Sequence, residues 1–198
     1  MKTTIHYAFI LDQSGSMSPL KHEVISGFNE QVKSIAKLKK ENPESEIMFT
    51  LCVFNDTIEF RFNNKRVDKL KPLKSHQYEP NSCTALYDAL GTTFKKVNEQ
   101  VKPNDKVFIA IFTDGLENAS TDFSSKDIKK LLALAEEKRW EIRFFCQQED
   151  NLFYKSHLGI TDNQLMSISL NEAGLKVMES EICFCINEMV KTNKKSVK

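Results

Sequence analysis

The sequence predicts an open α/β domain: a doubly wound, mostly parallel sheet with one antiparallel edge hairpin and helices on both faces. Three observations lead there. Short apolar runs suited to strands buried on both faces recur at 5–11, 47–54, 106–113 and 140–146. Stretches with apolar residues at helical spacing separate most of them and close the chain. The Asn55-Asp56 turn joins two strand-like runs closely enough for a hairpin. Strands alternating with helices in this way form a sheet with helices packed on it.

Taken in order, residues 5–11 (IHYAFIL) read as a strand ending at Asp12. Ser18 and Pro19 then suit the N-cap and first position of a helix. Leu20, Val24, Ile25, Phe28, Val32 and Ile35 form its apolar face as far as Lys40, and Asn42-Pro43 ends it. The second strand is 47–54, with 57–62 returning beside it. Residues 63–82 are polar and basic and read as a loop. A helix over 84–101 carries Leu86, Ala89, Leu90, Phe94 and Val97 on one face. The strand at 106–113 (KVFIAIFT) is followed by a polar loop over 114–125. Ser124-x-x-Asp127 resembles a capping box opening the helix of Ile128, Leu131, Leu132 and Ala135. A strand at 140–146, a short helix within 147–158 and an edge strand within 165–170 follow. Leu175, Met178, Ile182, Cys185, Ile186 and Met189 mark a long final helix. We read residues 1–192 as one domain and 193–198 as a polar tail that frays.

Composition agrees with one soluble domain. The chain has 198 residues, with 28 Lys or Arg against 27 Asp or Glu, a net charge of +1. A chain of this length buries roughly 70% of its unfolded surface in a single core and needs no staple. Near-zero net charge argues against a mainly electrostatic nucleic-acid binder. The five cysteines are odd in number and contain no C-x-x-C, and the four histidines are scattered. They read as free thiols in a reducing compartment, with no zinc spacing. No run is long and apolar enough to span a membrane, and the N-terminus lacks the pattern of a signal peptide. The expected location is cytoplasmic.

In open α/β sheets, ligands bind beyond the carboxyl ends of the strands, where the strand order reverses. The first strand is followed by Asp12-Gln13-Ser14-Gly15-Ser16, and the strand at 106–113 runs into Thr113-Asp114-Gly115. A helix start, Asn81-Ser82-Cys83-Thr84, lies between them. Each offers small oxygen donors, and hard oxygens suit Mg²⁺, Mn²⁺ or Ca²⁺ over zinc or copper. Singly, each has an ordinary reading: a capped helix, a turn, an N-cap. Their coincidence in one α/β pattern is what points to a metal.

With these residues the sequence resembles the von Willebrand factor type A domain, which also forms the integrin inserted domain. That family's metal-ion-dependent adhesion site (MIDAS) is written D-x-S-x-S, then a distant Thr, then a distant Asp. Here the pattern is filled by Asp12, Ser14 and Ser16, by Thr84 in CTALYDAL, and by Asp114 in FTDGLENAS. The resemblance covers essentially the whole chain, and the forms LDQSGSM and TDGLENAS look most like stand-alone intracellular members. It implies that the hydroxyls of Ser14, Ser16 and Thr84 contact a divalent cation directly. Asp12 and Asp114 act directly or through water. The small ligand set favours Mg²⁺, with Mn²⁺ or Ca²⁺ as alternatives. It also implies an open coordination position for a carboxylate of a protein partner, with the helix dipole adding positive potential there. No catalysis, membrane or nucleic acid is expected.

Two positions depart from the family pattern. Cys83 stands where a small residue is usual and reads as a buried filler. The stretch Cys146-Gln147-Gln148-Glu149-Asp150 makes a more polar rim than expected. Phe123, Phe153 and Tyr154 are candidates for exposed partner contacts. The lysines and arginine between 65 and 74 read as a solvated face. A metal-dependent phosphoesterase is the alternative function, but Ser14 stands where an aspartyl-nucleophile enzyme needs a second Asp. No Lys or His is placed by sequence as its general acid or base, and no G-x-S-x-G is present. A structural subunit with a vestigial site is a third reading, which five filled positions disfavour.

Overall fold

A computed structural model describes residues 4–195. Six strands form one sheet: β1 (Thr4–Asp12), β2 (Glu46–Phe54), β3 (Ile58–Arg66), β4 (Lys106–Phe112), β5 (Glu141–Cys146) and β6 (Leu165–Ser167). Their order is β3-β2-β1-β4-β5-β6, and only β3 runs antiparallel. Five α-helices cover the sheet: α1 (Lys21–Glu41), α2 (Leu86–Gln100), α3 (Ser125–Glu137), α4 (Asn151–Leu158) and α5 (Glu172–Lys195). This is the architecture the sequence predicts. No helix among the described residues is long and apolar enough to cross a membrane.

Strand periodicity sorts the core into two layers, because successive side chains point to opposite faces. Ile5, Tyr7, Phe9 and Leu11 of β1 join Phe108, Ala110 and Phe112 of β4 beneath α1 and α5. Ala8 and Ile10 join Val107, Ile109 and Ile111 beneath α2, α3 and α4. Both central strands are therefore apolar on both faces, which is why they read as unbroken hydrophobic runs. The buried Tyr7 phenol donates to Gln31 Oε1 at 2.9 Å, so a polar group in this layer is satisfied within it.

Several local expectations change. A 3₁₀ turn over Gly15–Leu20 precedes α1, so Ser18 and Pro19 do not open the α-helix. The turn tightens because Met17 N donates to Ser14 O, and Ser18 Oγ bonds the Gly15 carbonyl at 2.8 Å. Strand β3 extends to Arg66, four residues beyond the expected hairpin partner, with register shifts against β2. The edge strand β6 has only three residues. The capping box at Ser124 and Asp127 is present. Of the expected tail, α5 continues to Lys195 and residues 196–198 lie outside those described.

The strand order reverses between β1 and β4, so the chain leaves their carboxyl ends toward opposite sides and opens a crevice there. Asp12 and Thr113 stand at that point, one step beyond the Leu11–Phe112 pairing. Replacing the fully buried Phe108 of the adjoining strand with Ala should cost about 3–5 kcal/mol in urea denaturation. A loss under about 1 kcal/mol would remove that ring from the core.

Candidate metal centre

The five sequence-predicted residues meet at the carboxyl ends of β1 and β4. Asp12 is fully buried, Ser14, Thr84 and Asp114 are buried, and Ser16 is exposed at the mouth. Asp12 Oδ1 accepts from Ser14 N at 2.6 Å, and its Oδ2 accepts from Thr113 Oγ1 at 2.6 Å. The Ser14 and Ser16 hydroxyls lie 3.1 Å apart, and Ser16 Oγ donates to Asp114 Oδ1 at 2.7 Å. Gly115 faces the hydroxyls of Thr84 and Ser16. A Cβ there would lie 3.8 Å from Thr84 Oγ1 and 3.9 Å from Ser16 Oγ.

Thr84 is not a helix cap, contrary to its ordinary reading. Helix α2 begins at Leu86, and its N-cap, Ala85, has no capping side chain. The free amides of the first turn are satisfied from the loop after β4. Glu117 Oε2 accepts from Tyr87 N at 2.9 Å, and Ser120 Oγ accepts from Asp88 N at 3.0 Å. Glu117 Oε1 also takes Ala119 N and Ser120 N. Asn118 Oδ1 takes Thr84 N at 2.8 Å, and Thr84 O takes Asn118 N in return. Asp88 reciprocates from the helix, accepting from Thr121 N, Asp122 N and Phe123 N. The Thr84 segment and the Asp114 loop are therefore one bonded unit. At this helix N-terminus the Tyr87 amide is taken by Glu117 and the Asp88 amide by Ser120.

Glu117, Asn118, Asp88 and Thr113 were not singled out from sequence. Glu117 and Asn118 stand in TDGLENAS, and Asp88 in the first turn after Thr84. A carboxylate three residues past Asp114, beside an uncapped helix start, is the signal available.

On the other flank, Tyr78 Oη donates to Asp12 O at 2.7 Å, Gly15 N donates to Ser82 O, and Asn81 N donates to Gln13 O. Three expectations at the rim change. Cys83 is exposed, not a buried filler. Tyr154 is fully buried, because its ring packs on Phe144 and its hydroxyl finds the Gly115 carbonyl at 2.7 Å. Phe123 and Phe153 are half-buried, the first over the bare face of Gly91 and the second stacked on His157. Glu149 is exposed and Asp150 half-buried, so the rim after β5 is acidic.

Electrostatically the site is unfinished. Burial raises the Asp12 carboxyl from 3.8 to about 6; hydrogen bonds from Thr113 and Ser14 oppose the rise, and the charge of Asp114 adds to it. Burial also raises Asp114, with the Ser16 hydroxyl opposing. Among the described residues no lysine or arginine is one of the groups acting on either. Among the described residues no three His, Cys, Asp or Glu side chains gather as a metal site, so a cation here would rest on hydroxyls as well as carboxylates. Two buried carboxylates beside three small hydroxyls are hard oxygen donors lacking a positive charge, and they fit a divalent ion of the Mg²⁺ type.

The folded value of Asp12 lies above its ordinary one. Its contribution to stability is therefore complete below about pH 4 and lost as pH rises through about 6. In chelator, Asp12→Asn should be more stable than wild type at pH 7.5 by on the order of 2 kcal/mol, and the gap should close near pH 4. Thermal melts across that range measure it, and a variant less stable at pH 7.5 would contradict it. Glu117→Ala should cost about 1–3 kcal/mol by orphaning three amides. It should also speed hydrogen exchange at Tyr87, Ala119 and Ser120 while leaving β4 unchanged.

No protein-family model matches the chain, and neither does any curated protein. Solved structures do. The von Willebrand factor domain of the type V pilus tip protein Mfa5 from Porphyromonas gingivalis superposes with a TM-score of 0.73 at 11% identity, covering 96% of this chain and 97% of that one. The PilB minor pilin from Streptococcus sanguinis gives 0.66 at 14%, covering 96% of this chain and 63% of that one. Proximal thread matrix protein 1 from the mussel byssus, with a zinc-occupied MIDAS motif, gives 0.60 at 14%, covering 94% and 46%. The chain thus spans under two thirds of the pilin and about half of the byssus protein. What the sequence resemblance implies for architecture is met in three dimensions: this chain has the von Willebrand factor type A fold.

Proposed function

We propose that the chain is a metal-ion-dependent protein-interaction module with no chemistry of its own. The observation that carries this is the pair of buried carboxylates, Asp12 and Asp114, held at the switch point beside three hydroxyls, with no lysine or arginine among the described residues acting on them. The Ser14, Ser16 and Thr84 hydroxyls would hold a divalent cation, Mg²⁺ by preference, with Asp12 and Asp114 bound directly or through water. When bound, the ion supplies a Lewis-acidic position open to one further oxygen. The chain's own residues do the rest. Asp12 and Thr113 fix the inner wall, Glu117 and Asn118 hold Thr84 against the Asp114 loop, and exposed Ser16 marks the mouth. Three neutral donors and two carboxylates leave the charge incompletely neutralised, which suits a carboxylate from a protein partner.

The pilus neighbours support interaction over catalysis. Histidines offer the site no general acid or base where the structure pairs them. His6 bonds Asp105 at the opposite end of β1, and His157 stacks on Phe153. The exposed Cys83 and four further free thiols support a reducing, cytoplasmic setting.

Calorimetric titration of chelator-stripped protein with Mg²⁺ and Mn²⁺ tests the reading. Wild type should show one saturable site, absent in Asp12→Ala, and equal binding by both would place the ion elsewhere. A partner captured in Mg²⁺ should be released by EDTA, and by Asp→Asn or Glu→Gln substitution of its contacting acid.

A further inference from the structure

The hydrogen bonds behind Asp12 contain a competition for one proton. Thr113 Oγ1 carries a single hydrogen and faces two acceptors, Asp12 Oδ2 at 2.6 Å and Gly115 O at 3.0 Å. It also accepts from Gly115 N at 3.3 Å, so one of its lone pairs is engaged as well. If its proton went to the Gly115 carbonyl, Asp12 Oδ2 would be left buried without a donor, an expensive arrangement for a carboxylate. A second donor reaches the same carbonyl from α4, filling one of its two lone pairs. Tyr154 Oη donates to Gly115 O at 2.7 Å, from a fully buried ring packed 5.8 Å from Phe144.

Burial, and then the neighbouring Cys146 thiol, holds the Tyr154 phenol well above its ordinary range, so it stays a donor at every working pH. Besides the Gly115 carbonyl its hydroxyl meets that of Thr113, and its ring is fixed between Phe144 and the edge of Phe153.

We infer that Tyr154 is a positioning residue for Asp12: by satisfying the Gly115 carbonyl it commits the Thr113 proton to Oδ2 of Asp12. Through this relay, helix α4 sets the orientation of a carboxylate it never touches. The consequence for a bound cation rests on the reading of Asp12 as a metal-site carboxylate; the relay itself does not. Helix α4 also carries Leu152, 76% exposed, so anything that displaces the helix from outside acts on the same hydrogen bond.

The test is a cycle of Tyr154→Phe and Thr113→Val on the whole chain, read in two ways. The first is the ¹³Cγ resonance of Asp12 in EDTA at pH 8. The second is Mn²⁺ affinity by electron paramagnetic resonance. In the wild-type background Tyr154→Phe should move the Asp12 resonance and weaken Mn²⁺ binding about fivefold to tenfold. In the Thr113→Val background, where no proton remains to be redirected, it should do neither. Thr113→Ser keeps the hydroxyl and should restore both responses. Equal effects in the two backgrounds would make Tyr154 a general packing residue and overturn the proposal. So would an unmoved Asp12 resonance, or unchanged affinity in a wild-type protein that binds Mn²⁺. If the resonance cycle holds but wild type binds no Mn²⁺, the relay stands and the metal-dependent function falls.

Discussion

A carboxylate removed from water at the end of a central strand must have both oxygens occupied, and at Asp12 this requirement organises the surrounding structure. One oxygen is met locally, by the Ser14 amide two residues on. The other is met across the sheet, by Thr113 at the end of β4. The second bond exists because β1 and β4 are parallel neighbours in a register that pairs Leu11 with Phe112. A shift of one residue would turn the side chains of β4 to the wrong layer and carry Thr113 away from Asp12. The apolar alternation of two strands therefore aligns a polar site at their ends. The hydrogen bonds only partly offset the burial, and the carboxyl is left with its proton affinity raised to about 6. Such a group is at rest when it is protonated or when it has a cation beside it.

The second organising element is the exchange of hydrogen bonds between α2 and the loop after β4. A helix start leaves amides without partners. Most chains cap them from the residue just before the helix. Here the acceptors come from Glu117 and Ser120, about thirty residues further on, while Asp88 in the helix accepts amides of the same loop. The exchange binds two segments that are far apart in sequence and each carry a predicted ligand. It also relieves Thr84 of any capping duty and leaves its hydroxyl beside Gly115. Rigid placement of weak neutral donors matters most where the donors are hydroxyls, because each contributes little alone.

Much of this was legible in the sequence, and what was not has common causes. The strands at 5–11, 47–54 and 106–113 were readable because burial on both faces leaves an unbroken apolar run. The five candidate ligands were readable because they sit at strand ends in a fixed order with a known resemblance. The opening of α1 differs because Ser18 and Pro19 lie inside a 3₁₀ segment that begins at Gly15 and runs to Leu20, directly before the α-helix. Tyr154 was assigned to the surface because an amphipathic residue in a short polar segment carries no sign of which way its helix turns. Cys83 was assigned to the interior on its residue type, whereas the neighbouring bonds to Ser82 and Thr84 leave its side chain facing out.

By itself the sequence determined the alternation of strand and helix, the layers of the core and the identity of five oxygen donors. These follow from periodicity and from residue type, which are local properties. Only the tertiary structure decided that Thr113 reaches Asp12, that Glu117 and Ser120 and not Thr84 satisfy the start of α2, and that a tyrosine on α4 reaches the Gly115 carbonyl. Those outcomes depend on pairings between residues thirty to a hundred positions apart. A hydrogen bond requires its partners to be within about 3 Å of each other, a condition on coordinates that no local pattern records.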